Sequence, residues 1–138
     1  MTRRVLLLVP LAACCRAADA AQEVLDLIAD LASSLSAGNV ALFLKAFDPK
    51  MPGYAKLREN VTGLIAKGDL QSLVDPLEHE GDDRRRVAQF DWTLLMHRGQ
   101  EATSFARREQ VLKFSVEKRG GKWRIVELEP IGFFAPGA

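Results

Sequence analysis

The sequence predicts an α+β domain in which three N-terminal helices pack on a curved antiparallel sheet. Apolar residues recur at helical spacing up to about residue 66, and they alternate with polar residues after residue 70. The pair Gly120-Gly121 then separates two alternating runs, which is typical of a tight β-hairpin. Helices that come first, with antiparallel hairpins after them, indicate helices packed on one face of a curved sheet.

Composition indicates one small globular domain. The 138 residues are 48% hydrophobic and 27% charged, which is enough to bury a core without disulfides or a metal. The 19 basic and 18 acidic residues give a net charge of +1, and removal of Arg3 and Arg4 with the leader described below changes it to −1. This balance does not attract polyanions, so we expect no nucleic-acid partner. We also expect no cofactor.

Residues 1–20 have the three parts of a secretory signal. Arg3 and Arg4 supply the positive charge, an apolar run from Val5 to Ala12 follows, and small residues end the segment. The apolar run is far shorter than the ~20 residues that a permanent membrane-spanning helix needs. The sequence therefore predicts an exported protein whose folded domain covers residues 21–138.

Two processing sites compete at the end of this leader. Leu11-Ala12-Ala13-Cys14 resembles the bacterial lipobox, in which the cysteine is acylated and becomes the mature N terminus. The alternative is Ala18-Asp19-Ala20, an A-x-A site that would release a soluble protein. We favour the lipobox, which predicts a lipoprotein of the cell envelope or periplasm, anchored to the membrane through Cys14. Both cysteines precede the domain, so it has no disulfide and no cysteine nucleophile.

Three amphipathic helices are predicted in the first half of the domain. The first covers Ala21 to Leu35, and Gly38 ends it. Asn39 can cap a short second helix, Val40 to Phe47, before an Asp-Pro pair. The third runs from about Tyr54 to Ala66 and follows a Met-Pro-Gly linker.

Four strands are predicted after the helices. Leu70 to Glu80 contains Pro76, which indicates an edge strand or a bulge. Arg86 to His97 and about Ser104 to Lys118 alternate clearly, with a hairpin loop at residues 98–101 between them. The last strand runs from Lys122 to about Ile131, and its apolar residues change phase, which indicates a bulge: Trp123, Ile125, Val126 and Leu128.

This order of elements resembles the nuclear transport factor 2-like (NTF2-like) superfamily, which includes ketosteroid isomerase and the SnoaL-like proteins. The resemblance covers about Gln22 to Phe134 and includes the ending Gly121-Lys122-Trp123-Arg124-Ile125-Val126. It implies a cone that opens between helices and sheet and often holds a small apolar ligand. It also implies a possible homodimer through the outer sheet face. The family fold hosts unrelated activities, so it does not determine function.

Aromatic and aliphatic side chains are the candidates for ligand binding. Phe90, Trp92, Leu94 and Phe114 form an apolar stripe that is either a filled core, the default for such a stripe, or the wall of a pocket. Trp123 could join either face of the last strand. Tyr54 is the only tyrosine, and it does not align with the catalytic tyrosine of the isomerases, so no catalytic residue is transferred from them.

Few polar residues suggest catalysis. Asp91 is the candidate base, but it alternates with Gln89 and Thr93 as a solvent-facing residue would. His97 lies about 20 Å further along the same strand, too far to contact Asp91. His79 stands between Glu78 and Glu80, but neighbouring residues of a strand point to opposite faces, so these three side chains cannot converge on one metal ion and we expect no metal site there.

Two basic groups, Arg84 to Arg86 and Arg107 to Arg108, are most simply a solvated rim. If their strands pair as a hairpin, the two groups could instead lie close together and attract an anion or an acidic lipid headgroup.

Three functional hypotheses follow. The first is a non-enzymatic envelope protein that binds a small apolar molecule or a protein partner. The alternative is an isomerase or dehydratase with Asp91 as a base inside the pocket, and the direction in which Asp91 points distinguishes the two. The third is a dimer formed through outward residues such as Val111.

Overall fold

The helices precede the strands, as the sequence predicts. The structure, a computed structural model, describes the backbone of residues 2–97 and 105–137 and the side chains of residues 18–97 and 106–137. Within these residues the helices are α1 (Thr2–Ser36), α2 (Val40–Lys45) and α3 (Tyr54–Ala66). The strands are β1 (Leu70–Gly81), β2 (Arg85–His97), β3 (Phe105–Arg119) and β4 (Lys122–Glu129), followed by a 3-10 turn (Ile131–Phe134).

Capping sets the boundary between α1 and α2. Gly38 adopts φ 71°, a left-handed conformation that suits glycine at the end of a helix. The Asn39 side chain then accepts a hydrogen bond from the backbone N–H of Leu42 at 3.0 Å, which is the predicted N-cap. The helix α1 itself continues through the predicted processing sites, and the side chain of Cys14 lies outside the described residues.

The second helix ends at Lys45, earlier than predicted. The prediction that it reaches Phe47 is wrong because the backbone there pairs with the last strand. Ala46 accepts a hydrogen bond from the N–H of Ile125 at 2.8 Å, and Asp48 donates to the carbonyl of Ile125 at 2.9 Å. Phe47 therefore forms an isolated parallel bridge to Ile125 instead of a helical turn.

The four strands form one antiparallel sheet in the order β1-β2-β3-β4. Pro76 lies on the edge strand, and the β1–β2 register shifts between Pro76 and His79, so both the edge position and the bulge are confirmed. The predicted phase change in β4 is also confirmed, since the register shifts between Ser115 and Val116 and leaves Val126 as the extra residue. The strand ends at Glu129, and the predicted loop at residues 98–101 lies outside the described residues.

The two basic groups lie at opposite ends of the β2–β3 pair. Arg85 pairs with Glu117, whereas Arg107 pairs with Leu95. The expectation that hairpin pairing could bring the two groups together is therefore wrong, because an antiparallel register places the start of one strand beside the end of the other.

One hydrophobic core lies between the helices and the concave face of the sheet. The residues of α1 that face it repeat at helical spacing and include Val24, Ile28 and Leu31, each at most 2% exposed. The largest fully buried side chains are aromatic, and they come from both layers: Phe43, Phe47, Phe90, Trp92, Phe114 and Phe134. None of the helices in the described residues combines the length and hydrophobicity needed to cross a membrane.

Candidate functional site: a groove between the first two helices

The predicted apolar stripe fills the interior of the cone. Phe90, Trp92, Leu94 and Phe114 are each at most 2% exposed. The Phe114 ring lies 5.9 Å from both the Phe90 and the Trp92 ring, a spacing typical of packed aromatic pairs. The structure thus brings these four predicted ligand-binding residues together, as packed side chains of the core.

The two other predicted ligand-binding residues lie elsewhere. Tyr54 begins α3 and packs, partly buried, against the edge of the core. Trp123 lies at the start of β4, where it faces the helices and is 8% exposed. The six predicted residues therefore do not form one site.

A groove of about 470 Å³ lies between α1 and α2 and ends at Trp123. Its depth comes from the tight turn at Gly38, which places the short helix α2 beside the last turns of α1. Most of its lining is apolar and comes from both helices: Leu27, Leu31, Ala37, Leu42, Ala46 and Trp123. Leu42 is 51% exposed and contributes accessible apolar surface to the groove.

Trp123 is held in place by a charged hydrogen bond. Its indole Nε1 donates to Glu23 Oε2 at 2.7 Å, and the same oxygen accepts from Lys118 Nζ at 3.2 Å. These two hydrogen bonds, first that of Trp123 and then that of Lys118, lower the pKa of Glu23 below its ordinary value. The ring at the end of the groove is thus fixed by contacts that join α1 to both β3 and β4.

Polar groups lie among the apolar residues of the groove: Asp30, Ser33, Ser34 and Lys45. Ser34 donates its hydroxyl to the backbone carbonyl of Asp30 at 2.8 Å, so this hydroxyl is already bound within α1. Among the described residues, neither the Asp30 carboxylate nor the Lys45 ammonium has a hydrogen-bond or ion-pair partner. The groove therefore offers one unpaired charge of each sign to a ligand.

Sequence reasoning found Trp123 and missed the rest of the groove. No local sequence signal identified the groove, because single exposed leucines such as Leu42 are common on protein surfaces. Which side of α1 faces α2 depends on how the helices rotate against each other, and periodicity alone does not determine that rotation.

Asp91 lies on the outer face of the sheet. The residues before and after it, Phe90 and Trp92, point into the core, and its own strand neighbours are Asp75 in β1 and Val111 in β3. Partial burial, followed by repulsion from Glu109 and a hydrogen bond with it, raises the pKa of Asp91. A base at this position cannot reach a ligand inside the cone, and His97 lies further along the same strand.

The outer face also carries exposed apolar side chains. Leu73, Leu77 and Val111 are 49%, 47% and 49% exposed. Within the described residues, no group of three histidine, cysteine, aspartate or glutamate residues is placed to hold a metal ion.

Comparison with known proteins supports the fold alone. No family model matches the sequence, and no curated protein matches it significantly. Among solved structures, an NTF2-like protein with a cystatin-like fold from Novosphingobium aromaticivorans is 17% identical, covers 88% of this chain and 86% of its own, and has a TM-score of 0.69. An NTF2-like superfamily protein from Salmonella enterica is 19% identical over 80% of this chain and 89% of its own, with a TM-score of 0.68.

A third similar structure is named as a candidate scytalone dehydratase, also from Novosphingobium aromaticivorans. It is 10% identical, covers 78% of this chain and 79% of its own, and has a TM-score of 0.68. At such identities the shared feature is the arrangement of helices and strands, and activity does not follow from it. These similarities, together with the element order described above, show that the chain has the NTF2-like fold.

Proposed function

We propose that this chain is a non-enzymatic protein of the cell envelope that binds a small apolar molecule in the groove between α1 and α2. One observation supports this most directly. The cone interior is filled by the aromatic side chains of the protein itself, whereas an apolar groove of about 470 Å³ remains open beside Trp123.

The groove has the properties of a small-molecule site. Ligand pockets commonly enclose roughly 300–1,000 Å³ and combine apolar walls with a few polar groups. Leu31, Leu42 and Trp123 would contact an apolar body, and Asp30 or Lys45 would orient a polar end. The ligand class we propose is therefore amphipathic, with a mainly apolar body.

Binding without catalysis is favoured by the placement of the titratable groups. An isomerase or dehydratase, as the name of one structural neighbour suggests, needs a base that points at the bound ligand. Asp91 lies on the opposite side of the sheet from the core. The described lining of the groove contains no histidine, and its Ser34 hydroxyl is bound to a backbone carbonyl.

A fluorescent apolar probe tests the groove. We expect 1-anilinonaphthalene-8-sulfonate to bind the purified full-length protein, and Leu42→Asp to weaken this binding at least tenfold by adding a charge to the apolar lining. Leu73→Asp is the matched control, because Leu73 is 49% exposed against 51% for Leu42 but lies on the outer sheet face. Equal binding by wild type and Leu42→Asp would refute the assignment.

The route to the envelope is part of the proposal. The leader of residues 1–20 would export the chain, and acylation of Cys14 would anchor it to the membrane. Native mass spectrometry of protein purified from an envelope fraction distinguishes the two processing sites. A mature mass that starts at Cys14 with added acyl groups supports the anchor, whereas a start at Ala21 excludes it.

A second copy of the chain is the other partner that we propose. Leu73, Leu77 and Val111 are about half exposed on the outer sheet face, and their burial between two copies would remove apolar surface from water. This homodimer would leave the groove accessible, since the groove lies on the helical side of the domain.

A further inference from the structure

The final segment of the described chain closes the cone. We call residues 130–137 the C-terminal strap. Its residue Phe134 is 0% exposed, and its ring lies 5.2 Å from the Trp92 ring and 5.4 Å from the Phe43 ring, edge-on to both. An aromatic ring carried by the strap thus fills the space between sheet and helices.

Side chains hold the strap in place. The strap follows β4 directly in the chain. The described backbone hydrogen bonds of residues 131–137 stay within the strap, for example from the Ala135 N–H to the carbonyl of Gly132 at 3.1 Å. Two cations supply the polar contacts to the rest of the domain. Arg108 Nη1 donates to the carbonyls of Phe133 and Ala135, the latter at 2.7 Å, and Lys67 Nζ donates to the carbonyl of Gly137 at 2.7 Å.

Arg108 has no negative partner among the described residues. Two other arginines do form ion pairs with carboxylates. Arg85 Nε lies 3.3 Å from a Glu117 oxygen, and Arg119 Nη1 lies 2.6 Å from an Asp48 oxygen. Arg108 is half-buried, and its desolvation lowers its pKa. Within the part of the chain that the structure describes, the acceptors at its Nη1 are neutral backbone carbonyls, and a carboxylate would form stronger hydrogen bonds to the same atom.

We infer that the strap occupies a latent binding site for an aromatic carboxylic acid, which binds when the strap moves away. The aromatic ring of the ligand takes the place of Phe134 against Trp92 and Phe43. Its carboxylate replaces the strap carbonyls at Arg108 and reaches Lys67. The site is separate from the α1–α2 groove and does not depend on the function proposed for it.

The geometry of the strap suggests a probe. The Cβ, Cα and N atoms of Phe134 separate its ring from the carbonyl carbon of Phe133, whose oxygen accepts from Arg108. The methylene groups of 4-phenylbutyrate give the same separation between a phenyl ring and a carboxylate. Its amide, 4-phenylbutyramide, has the same shape without the charge.

A reversible lock on the strap tests the inference. A Cβ added at Gly63 in α3 lies 3.5 Å from the Cβ of Pro136, at the lower end of the range for a disulfide, about 3.5–4.5 Å. We would introduce Gly63→Cys and Pro136→Cys into the full chain together with Cys14→Ser and Cys15→Ser. Oxidation then fixes the strap in the closed position, and dithiothreitol releases it. Ligand affinity is thus compared between the oxidised and reduced states of the same variant.

We expect calorimetry to detect 4-phenylbutyrate binding to the reduced protein and an affinity at least tenfold lower after oxidation. The free strap competes as a tethered ligand at roughly millimolar effective concentration, so binding to the reduced form is expected to be weak. Equal affinity in the two redox states, or no binding by the reduced form at millimolar ligand, would overturn the inference.

The variant Arg108→Met tests charge recognition. Wild type should bind 4-phenylbutyrate more tightly than 4-phenylbutyramide, and Arg108→Met should remove that difference while the amide still binds. An equal loss for both compounds would mean that Arg108 only supports the structure, which refutes the anion site. The groove variant Leu42→Asp should leave both affinities unchanged, so failure of the groove proposal and failure of this one are distinguishable.

Discussion

Replacing Phe134 by alanine should remove a large part of the stability of the domain. Phe134 is 0% exposed and contacts three aromatic rings, those of Phe43, Trp92 and Phe133, at centroid distances of 5.4, 5.2 and 5.1 Å. Truncating a buried phenylalanine to alanine typically costs about 3–5 kcal/mol, because transfer energy is lost and a cavity remains. The three aromatic contacts place Phe134 toward the upper part of that range.

Urea unfolding followed by circular dichroism measures this loss. With a slope of roughly 2 kcal/mol per molar urea for a domain of this size, a loss of about 4 kcal/mol lowers the midpoint by ~2 M. Leu42→Ala is the control, since its half-exposed side chain should cost about 1 kcal/mol or less. A midpoint shift for Phe134→Ala no larger than that of Leu42→Ala would refute the reasoning that the strap completes the core.

Three further predictions concern other parts of the molecule. Val111→Lys on the outer sheet face should convert a dimer to a monomer in analytical ultracentrifugation, and an unchanged sedimentation coefficient would exclude that face as the interface. Asn39→Ala should cost about 1 kcal/mol of unfolding free energy by removing the N-cap of α2, whereas no loss would mean that backbone pairing alone sets this boundary. Hydrogen bonds from the Lys50 N–H and from Arg119 lower the pKa of Asp48 below its ordinary 3.8, so its stabilising contribution is complete above that pH and disappears as the pH falls through the lower folded value. Asp48→Asn should therefore flatten the acid limb of stability against pH, and an identical limb in wild type and variant would contradict this.

The fold was predictable because local signals agreed with the tertiary arrangement. Helical spacing, the Asn39 cap, the Gly-Gly hairpin and the phase change in β4 each correspond to a feature of the structure. The end of α2 was not predictable, since it depends on a bridge from Phe47 to a residue far along the chain, Ile125. Propensity carries no information about such a partner.

The candidate sites were less predictable than the fold. An aromatic stripe on a strand looks the same whether it lines a pocket or packs as core, and here Phe90, Trp92 and Phe114 pack against Phe134 and one another. Phe134, which fills the space against this stripe, comes from a segment without helical or strand periodicity, so no sequence pattern identified it. Asp91 was different, because its alternation with Gln89 and Thr93 already indicated the outer face on which it lies.

The hydrogen bond between Glu23 and Trp123 has a consequence for the order in which the protein is made and folded. It joins residues 100 apart in the sequence, and the hydrogen bond from Lys67 to Gly137 joins residues 70 apart. Contacts between such distant residues delay folding, since the loop entropy is lost before the contacts form. The buried Phe134 also lies far along the chain, so the core is incomplete until the segment that carries this residue has been synthesised. For the export route proposed above, the domain would therefore still be unfolded, and able to pass through a membrane channel, while the segment that carries Phe134 is being added.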